Sequence, residues 1–267
     1  MPDDKYAQFL LEKELAEKLK YTSRDERKTA YKKLYGELFN KFPGIAYNPK
    51  ADISHKIQWQ IKFLQPFLNK EVVFIEIGAG NCLLSVEVAN SVKKVIAYEV
   101  ADAIPHIENK PGNVILKIFD GLDLSELKDS ADIIYSNQVF EHLHPEDVYH
   151  HLHQYHNILR ENGKIVIVTP NSLTGPYDIS RNYSLTPVGF HLKEYTNSEI
   201  KTLLLNAGFT NPKFFIGSKR IGYFPVNIHC LLILETLYKK VSNNIRYKLK
   251  NISALKNLFG IKVTAVK

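Results

Sequence analysis

Short apolar runs alternate with amphipathic stretches along most of this chain. Seven runs of five or six residues are rich in β-branched and aromatic residues and end at polar residues or glycine, which is typical of buried strands. These predicted strands cover 72–77, 94–99, 114–119, 131–136, 164–169, 213–217 and 261–266. Helical spacing predicts helices over 82–91, 103–109, 145–161 and 198–207. The alternation predicts an α/β fold with a doubly wound, mostly parallel seven-stranded sheet and helices on both faces.

Helical spacing also precedes the first strand. Leu11, Leu15 and Leu19 recur every four residues, and similar patterns return over 31–39 and 54–69. We expect these helices either to cover the functional site as a lid or to pack on the flank of the sheet. The pattern leaves both arrangements open.

The first predicted strand carries an acid, Glu76, and breaks into Gly78-Ala79-Gly80 before a helix. The second ends in Glu99, nineteen residues after Gly80. Glycines let the backbone approach a ligand, and an acid at that spacing accepts hydrogen bonds from ribose hydroxyls. The layout therefore predicts a nucleotide-type cofactor site.

Two details of this turn select among cofactors. A dinucleotide fingerprint needs glycine or alanine for close packing where Leu83 stands, and Glu76 would sit badly beside a pyrophosphate. An acid in the strand suits a cofactor with an amino group and a sulfonium. Ligands of such sheets bind at the carboxyl ends of the strands. The polar residues expected there are Glu76, Glu99, Asp120, Asn137, Gln138 and Asn171.

Composition predicts a cellular compartment and shows that charge is unevenly distributed along the chain. The 267 residues are 45% hydrophobic and 24% charged, as in ordinary globular proteins. The first twenty residues lack a signal-type apolar core, and two cysteines predict no structural disulfide, so the expected location is cytoplasmic. Residues 219–267 hold ten Lys or Arg and one acid, a net charge of +9, while the preceding 218 sum to −2. This predicts a phosphate-bearing partner, an anionic membrane surface or nucleic acid, or else a solvated basic face.

The pattern Glu76-x-Gly78-x-Gly80 resembles the first motif of class I S-adenosylmethionine (SAM) dependent methyltransferases, with Cys82 where a third glycine would stand. The run DIIYSNQVFEHL over 132–143 resembles the motif of their fourth strand. HLKEYT over 191–196 resembles the substrate-side segment of the small-molecule branch, methyltransferase type 11. The resemblance covers 72–215 and implies a Rossmann-like sheet that binds SAM.

The resemblance also implies roles for individual residues. Glu99 would bind the ribose, and Asp120 would meet the adenine amino group. The cofactor-binding residues it implies are Glu76, Gly78, Gly80, Glu99, Asp120, Gly121 and Asn137. Nucleic-acid methylating relatives often carry Asn/Asp-Pro-Pro-Tyr where this chain has NQVF over 137–140, so a nucleic-acid substrate is not expected.

Methyl transfer to a hydroxyl needs a base with a pKa near the working pH, which favours histidine. His191, in a turn expected to face the acceptor, and His142, after the fourth strand, are the candidates. If it is not the base, His142 has a structural packing role or orients its loop. If it is not the base, His191 is a helix-cap or core residue. Glu141-His142 resembles a metal-binding pair of quinone-precursor methyltransferases, but Gln138 replaces a further carboxylate. No metal is therefore predicted.

The acceptor is expected to meet a long loop over 170–181. Tyr177 and Arg181 in that loop would bind a polyhydroxylated or anionic substrate, unless the loop is only a surface connection. The stretch 223–258 mixes apolar residues with lysines, which favours an amphipathic helix on a membrane surface or at a dimer interface. A lipid-linked substrate would suit such a helix.

These patterns predict a SAM-dependent methyltransferase that acts on a small-molecule or glycan-type acceptor, most plausibly at oxygen. The alternatives are a nucleotide-sugar or NAD-linked oxidoreductase and a catalytically inactive SAM-binding protein. The predicted domains are a helical lid over 1–70, a SAM-binding core over 71–218, a basic insertion over 219–258 and the last core strand over 259–267. Oligomeric state is left open.

Overall fold

The computed structural model describes residues 4–43, 54–100, 110–124, 127–218 and 220–267. Eight strands form one sheet in the order β3-β2-β1-β4-β5-β8-β6-β7. The strands are β1 Val73–Ile77, β2 Lys94–Glu99, β3 Val114–Ile118, β4 Ala131–Asn137, β5 Leu159–Thr169, β6 Thr210–Ser218, β7 Gly222–Val226 and β8 Ile261–Val266. The helices are α1 Asp4–Tyr21, α2 Arg24–Lys41, α3 Ser54–Leu64, α4 Leu83–Ala89, α5 Pro145–Ile158, α6 Asn197–Asn206, α7 Ile228–Lys239, α8 Asn243–Leu249 and α9 Ser253–Phe259, with short 3-10 turns at Gln65–Phe67 and Ile179–Asn182.

Strands β1 to β5 run parallel, and β8 lies antiparallel between β5 and β6. In the register, Ile75 stands opposite Ile96 on one side and Ile134 on the other. All five residues of β1 are buried, because helices cover both faces of the sheet. The predicted α/β class and helix-covered, mostly parallel sheet are therefore confirmed.

Alternate residues of β1 enter different apolar layers. Ile75 and Ile77 pack with residues of α1, α2, α5 and α6. Phe74 packs on the opposite face with residues of α3 and α4. The parallel strands thus end together at one edge, which is where a ligand site is expected.

The strand count differs from the expected seven because 222–226 forms an eighth strand, a hairpin with β6. The hairpin needs glycine at its closure, since a Cβ on Gly217 (φ +135°) would lie 2.0 Å from the Gly222 carbonyl oxygen. Pro225 is tolerated because β7 is an edge strand. The segment predicted as a helical insertion therefore begins with a strand. Helix α5 also ends earlier than predicted, because Leu159 starts β5, and the helix predicted over 103–109 lies outside the described residues.

The N-terminal helix α2 is fixed to the core by a buried ion pair. The Arg27 guanidinium, 1% exposed, donates to both carboxylate oxygens of Asp147 in α5, with Nε 2.7 Å from Oδ2 and Nη2 2.8 Å from Oδ1. Tyr31 donates to the same carboxylate at 3.1 Å, and its hydroxyl accepts from the backbone N–H of His144 at 2.8 Å. A paired, fork-like geometry satisfies both buried charges.

Helix α7 is fixed to the core by a buried carboxylate that has neutral partners. Glu235, 4% exposed, accepts from the side-chain amides of Asn171 and Asn197 at 2.9 and 3.0 Å. It also accepts from the backbone N–H groups of Asn197 and Ser198 at the start of α6, at 2.8 and 3.0 Å. The positive end of the α6 dipole favours this anion. Within the described ranges, no helix is long and apolar enough to cross a bilayer.

Candidate active site

A cavity of about 510 Å³ opens at the carboxyl ends of β1, β2 and β4. The glycine turn after β1 forms its floor, and α2 forms one wall. Its lining residues include Tyr31, Tyr35, Gly36, Phe39, Gly78, Gly80, Glu99, Phe119, Gly121, Gln138, Val139, His142 and His151. We call this the first cavity. Residues of α2 therefore line this cavity, and the role of the N-terminal helices as a lid stays a prediction.

The turn over 78–82 needs glycine at two positions. Gly78 and Gly80 have φ angles of +70° and +54°, and a Cβ on Gly78 would lie 2.5 Å from Cγ2 of Val139. Cys82 also has a positive φ of 57°, which explains why the family motif places a glycine at this position. The turn leaves a floor of bare backbone in the cavity.

Glu99 lies on the wall of the first cavity, at the end of β2. Its Oε2 accepts from the Gly80 N–H at 2.7 Å, and its Oε1 accepts from the Val100 N–H at 2.7 Å. The two bonds fix the carboxylate against the glycine turn. An acceptor oxygen so placed suits a ribose hydroxyl.

Glu76 lies behind the turn and is not among the lining residues of the cavity. It is 6% exposed and accepts a 2.5 Å hydrogen bond from the Ser85 hydroxyl. Burial raises the pKa of Glu76 to about 8, although the bond to Ser85 opposes the shift. Its role in cofactor binding stays a prediction, and through Ser85 it joins β1 to α4.

The three remaining predicted cofactor residues lie at strand ends, in different environments. Asp120 accepts from the backbone N–H groups of Leu122 and Asp123, both at 2.8 Å, so its carboxylate shapes the loop after β3. Gly121 (φ +86°) lines the cavity. Asn137 ends β4, and its buried Oδ1 has no hydrogen-bond partner among the described residues.

Two histidines stand one behind the other beside the first cavity. His142 lines it, whereas His191 is 7% exposed and is among the lining residues of neither cavity. Their rings are perpendicular, with centroids 4.8 Å apart. His191 Nδ1 lies 2.8 Å from Oε1 of Glu194. His142 therefore lines the first cavity and His191 lies behind it, because the turn over 189–191 is folded inward; the catalytic roles of both residues stay predictions.

The hydrogen bonds of the two rings assign their protons. Nδ1 of His142 lies 3.0 Å from the Phe190 carbonyl, which can only accept, so Nδ1 carries the proton and Nε2 has a free lone pair. Burial and the neighbouring His191 lower the pKa of His142 to about 3. Burial alone would lower the pKa of His191, but its bond to Glu194 and the nearby carboxylate of Glu141 raise it. His142 is thus neutral, and His191 is the more basic ring.

Tyr35 and His151 belong to this site, although the sequence patterns did not single them out. The Tyr35 hydroxyl lies 3.0 Å from Nδ1 of His142, and its ring stacks on Phe190 with centroids 4.3 Å apart. His151 Nε2 donates to the Gly121 carbonyl at 2.7 Å. His151 lies on α5 and is fully buried. Helical spacing alone carries no signal for either residue.

Glu141, His142 and His191 offer donor atoms that all lie within 4.8 Å of one another. Oε2 of Glu141 accepts from Thr169 at 2.8 Å, while its buried Oε1 has no hydrogen-bond partner among the described residues. Burial raises the pKa of Glu141 to about 7, although His191 opposes the shift. The absence of a bound metal stays a prediction.

A second cavity of about 340 Å³ lies beside the first. Its lining includes Trp59, Gln138, Thr169, Tyr177, Tyr223, Lys256 and Lys262. Gln138 lines both cavities. Its φ of +56° turns the chain at the end of β4. Tyr177 is therefore placed at a cavity, as an acceptor-binding residue would be.

Arg181 is placed differently from the expectation. Its guanidinium donates to the carbonyls of Pro176 and Lys250 at 3.4 and 2.9 Å and to the side chain of Asn251 at 2.5 Å. It is among the lining residues of neither cavity and links the loop to the end of α8. Its role in substrate binding stays a prediction. The guanidinium stacks at 5.5 Å from the Tyr177 ring centroid.

The glycine turn, the acid after β2 and the sheet order define a nucleotide-type cofactor site on a methyltransferase fold. A family model described as a methyltransferase domain matches residues 50–213, and the chain belongs to this family. It is a SAM-dependent methyltransferase of class I, as its first motif predicts. Family membership decides against an NAD-linked or nucleotide-sugar oxidoreductase.

Solved structures share this fold at low identity. Phosphoethanolamine N-methyltransferase 1 from Haemonchus contortus is 15% identical, with a TM-score of 0.59, over 92% of this chain and 50% of that one. The 1,6-didemethyltoxoflavin-N1-methyltransferase from Burkholderia thailandensis is 14% identical, with a TM-score of 0.57, over 92% and 91%. A SAM-dependent methyltransferase from Archaeoglobus fulgidus is 19% identical, with a TM-score of 0.53, over 87% and 99%.

This chain therefore spans about half of the Haemonchus enzyme and nearly all of the other two. At these identities the likeness establishes the fold alone. No curated protein sequence matches the chain significantly.

Proposed function

We propose that this chain transfers the methyl group of SAM to an oxygen of a small-molecule or glycan-type acceptor. The observation that carries the proposal is a single cavity that joins the glycine turn and Glu99 to His142. The cavity has backbone for close approach at one end and a ring nitrogen with a free lone pair at the other.

The residues of the first cavity fit the cofactor. A Cβ on Gly78 would clash with Val139, whereas the space around Gly80 is open to 4 Å, so the turn offers bare backbone to a ligand. Glu99 would accept from the ribose hydroxyls. Asn137 is not itself a lining residue of the cavity, but its unpartnered buried oxygen would accept from the amino group. Asp120 and Gly121 would border the adenine, and Glu76 would support the turn from behind.

SAM supplies a methyl group on a sulfonium, ready for in-line displacement. The chain must then orient the acceptor, exclude water and take up the hydroxyl proton. We assign the proton to Nε2 of His142, since Nδ1 is held by Phe190 and Tyr35. Because burial and His191 lower the pKa of this ring to about 3, the protonated ring needs a neighbouring carboxylate, and a carboxylate oxygen of Glu141 lies within 4.8 Å of the histidine donor atoms. As the new carbon–oxygen bond forms, the methyl carbon–sulfur bond would break and S-adenosylhomocysteine (SAH) would leave, while the acceptor O–H bond would break and its proton move to Nε2 of His142.

His191 acts in this proposal as a positioning residue. Its ring packs against His142, and its bond to Glu194 fixes its own orientation. Glu194 also accepts from the Tyr177 N–H at 2.6 Å, which links the histidine pair to the acceptor loop.

The test is methyl transfer from labelled SAM to a panel of hydroxyl-bearing acceptors. His142→Ala should lower kcat at least 100-fold, the usual size of general-base catalysis, with little change in SAH affinity. His191→Gln should lower kcat less and raise the acceptor KM. His153→Ala, an exposed histidine of α5, is the matched control. Unchanged turnover in His142→Ala would contradict the assignment.

A SAM-binding protein without catalysis is the remaining alternative. Such a protein would have the same cofactor-binding residues, so SAM binding alone cannot distinguish it from an active enzyme. Saturable SAH binding with no acceptor-dependent transfer across sugar, phenol and lipid-phosphate panels would favour it. Our proposal predicts turnover with at least one hydroxyl acceptor.

For the basic C-terminal segment we propose contact with an anionic membrane surface, which would bring a lipid-linked acceptor to a cytoplasmic enzyme. Helix α7 buries Leu231 and Glu235 but leaves Ile233, Leu234 and Leu237 exposed at 60%, 45% and 55%. Basic residues follow on the same and the next helices, at Lys239, Lys240, Arg246, Lys248 and Lys250. Exposed apolar side chains beside cations suit the headgroup region of anionic lipid.

Vesicle co-sedimentation tests this contact. Binding should require anionic lipid and should fall when Lys239 and Lys240 are replaced by Gln. Replacement of Lys93 and Lys213 by Gln, at two exposed positions outside this segment, is the control of equal charge change. Equal binding to zwitterionic vesicles, or no binding to anionic ones, would contradict the proposal.

We also propose the division into a lid over 1–70, a core over 71–218, a basic insertion over 219–258 and a last strand over 259–267 as functional units. The contact of α2 with the first cavity supports the first unit. The contributions of Tyr223 and Lys256 to the second cavity support the third.

A further inference from the structure

The second cavity differs in charge from the first. Its charged lining residues are Lys256, from α9, and Lys262, from β8, and its lining includes no carboxylate. Both lysines flank Gly260, the residue that joins the helix to the strand. The polypeptide therefore brings two cations to one cavity at the edge of the cofactor site.

Neither cation is neutralised by the described part of the chain. Nζ of Lys262 reaches only the Gly260 carbonyl, at 3.4 Å, and no carboxylate of the described residues forms an ion pair with either lysine. Burial lowers the pKa of Lys262 to about 8. Burial and the nearby Arg181 also lower the pKa of Lys256. Because a buried cation without an anion is costly, a bound anion would be stabilised here.

The remaining walls suit an organic ligand. Trp59, Tyr177 and Tyr223 line the cavity from three separate segments, and aromatic rings of this kind pack against rings or sugar faces. Gln138 lines both cavities and sits at the end of β4. A ligand in the second cavity would thus reach the first past Gln138.

We propose that the second cavity is a subsite for a phosphate group of the methyl acceptor, held by Lys256 and Lys262 with the rest of the molecule against the aromatic walls. Lysine binds phosphate as a point charge. Binding of the phosphate follows from the cavity itself, whereas naming its carrier as the methyl acceptor rests on the proposed function.

Trp59 gives a direct readout, since it is the only tryptophan of the chain and it lines the cavity. Phenyl phosphate should change its fluorescence in a saturable way, and phenol should not. Lys262→Met should weaken phenyl phosphate binding at least tenfold, which is the size of one charge-assisted hydrogen bond. Lys256→Met should weaken it by a smaller factor, and Lys213→Met, on β6, should leave it unchanged.

SAH affinity separates this inference from the proposed function. In all three variants it should stay within twofold of the wild type, which also shows that they fold. No saturable binding of phenyl phosphate to a protein that binds SAH, or equal weakening by Lys213→Met, would overturn the subsite. Phosphate binding without methyl transfer to any acceptor would leave the subsite standing and count against the proposed function.

A second arm distinguishes the source of the phosphate. Short-chain phosphatidic acid, dispersed below its aggregation limit, is compared with phenyl phosphate on the same Trp59 signal. If the lipid binds more tightly than phenyl phosphate and Lys262→Met abolishes this binding, the subsite is assigned to a lipid phosphate. If the lipid binds no more tightly than phenyl phosphate and Lys262→Met abolishes this binding, the subsite is assigned to a free phosphate ester. Lipid binding that survives in Lys262→Met would contradict the subsite.

Discussion

The two cavities share one edge of the sheet and one residue, Gln138, but they are built in different ways. The first is built around a contiguous glycine turn after β1 and an acid at the end of β2. The second is assembled from α3, the loop after β5, β7, α9 and β8, and it holds two lysines. The first cavity therefore uses backbone conformation, whereas the second uses side chains from distant segments.

Helix α2, which lines the first cavity, and helix α7, which lines neither cavity, are anchored to the core by opposite means. Arg27 ties α2 to Asp147 through a charged pair, and Glu235 ties α7 to neutral amides. A charged pair that loses one member leaves a buried charge alone. The wall of the first cavity should therefore be the more sensitive to a single substitution.

The largest effect is expected from Arg27→Ala. The substitution leaves the buried Asp147 carboxylate without its paired cation. It should lower the free energy of unfolding by about 3–5 kcal/mol, as measured by denaturant unfolding. SAH affinity should fall with it, because α2 lines the first cavity. Arg24→Ala is the control, since Arg24 is half-exposed and 3.9 Å from Asp147. Equal, small losses in both variants would contradict the anchoring role.

Gly78→Ala should come next. Its Cβ would meet Val139 at 2.5 Å in a left-handed conformation, so the turn must shift into the first cavity. SAH affinity, measured by calorimetry, should fall about 100-fold, or about 2.7 kcal/mol. Phenyl phosphate binding should be retained. Gly112→Ala, where a Cβ meets nothing within 4 Å, should bind both ligands normally, and a wild-type SAH affinity in Gly78→Ala would refute the close approach.

Glu76→Gln should change how stability depends on pH. The pKa of Glu76 is raised to about 8 in the folded chain, so the folded state holds a proton that the unfolded state releases above about pH 4.5. Wild-type stability should fall, relative to the variant, as pH rises from 5 to 8, by about 1–3 kcal/mol. Denaturant unfolding at both pH values measures this, with the exposed Glu87→Gln as control. Parallel curves for wild type and variant would exclude the raised pKa.

Metal removal should have the smallest effect. We expect that extensive dialysis against a chelator leaves SAH affinity and methyl transfer within twofold of their starting values. Elemental analysis should find less than a tenth of an equivalent of metal. One equivalent of tightly bound metal that is lost in His191→Ala would overturn this prediction and make Glu141, His142 and His191 a metal centre.

The contrast between the cavities also explains what could be predicted from sequence. The turn at Gly78 and the acid Glu99 lie within one short stretch with strong local preferences, so their positions followed from pattern. Lys262 and Trp59 are about 200 residues apart, and no local pattern indicates that they line one cavity. His151 and Tyr35 were missed because a helix face shows only that it is apolar, not what its polar members contact.

The eighth strand and Arg181 illustrate the same limit. Pro225 lowers the strand signal of 222–226, and only an edge position makes it acceptable. Arg181 has the charge expected of a substrate ligand, but it donates to the carbonyls of Pro176 and Lys250 and to the side chain of Asn251. The sequence did not show which of His142 and His191 lines the cavity. Only the inward fold of the turn over 189–191 places His142 at the cavity and His191 behind it.

A calorimetric comparison of two variants tests the division between the cavities most directly. SAH and phenyl phosphate are each titrated into wild type, Glu99→Ala and Lys262→Met. Glu99→Ala should lose at least tenfold in SAH affinity and keep phenyl phosphate binding, while Lys262→Met should show the reverse. Loss of both ligands in either variant, or loss of neither, would contradict two separate sites that meet at Gln138.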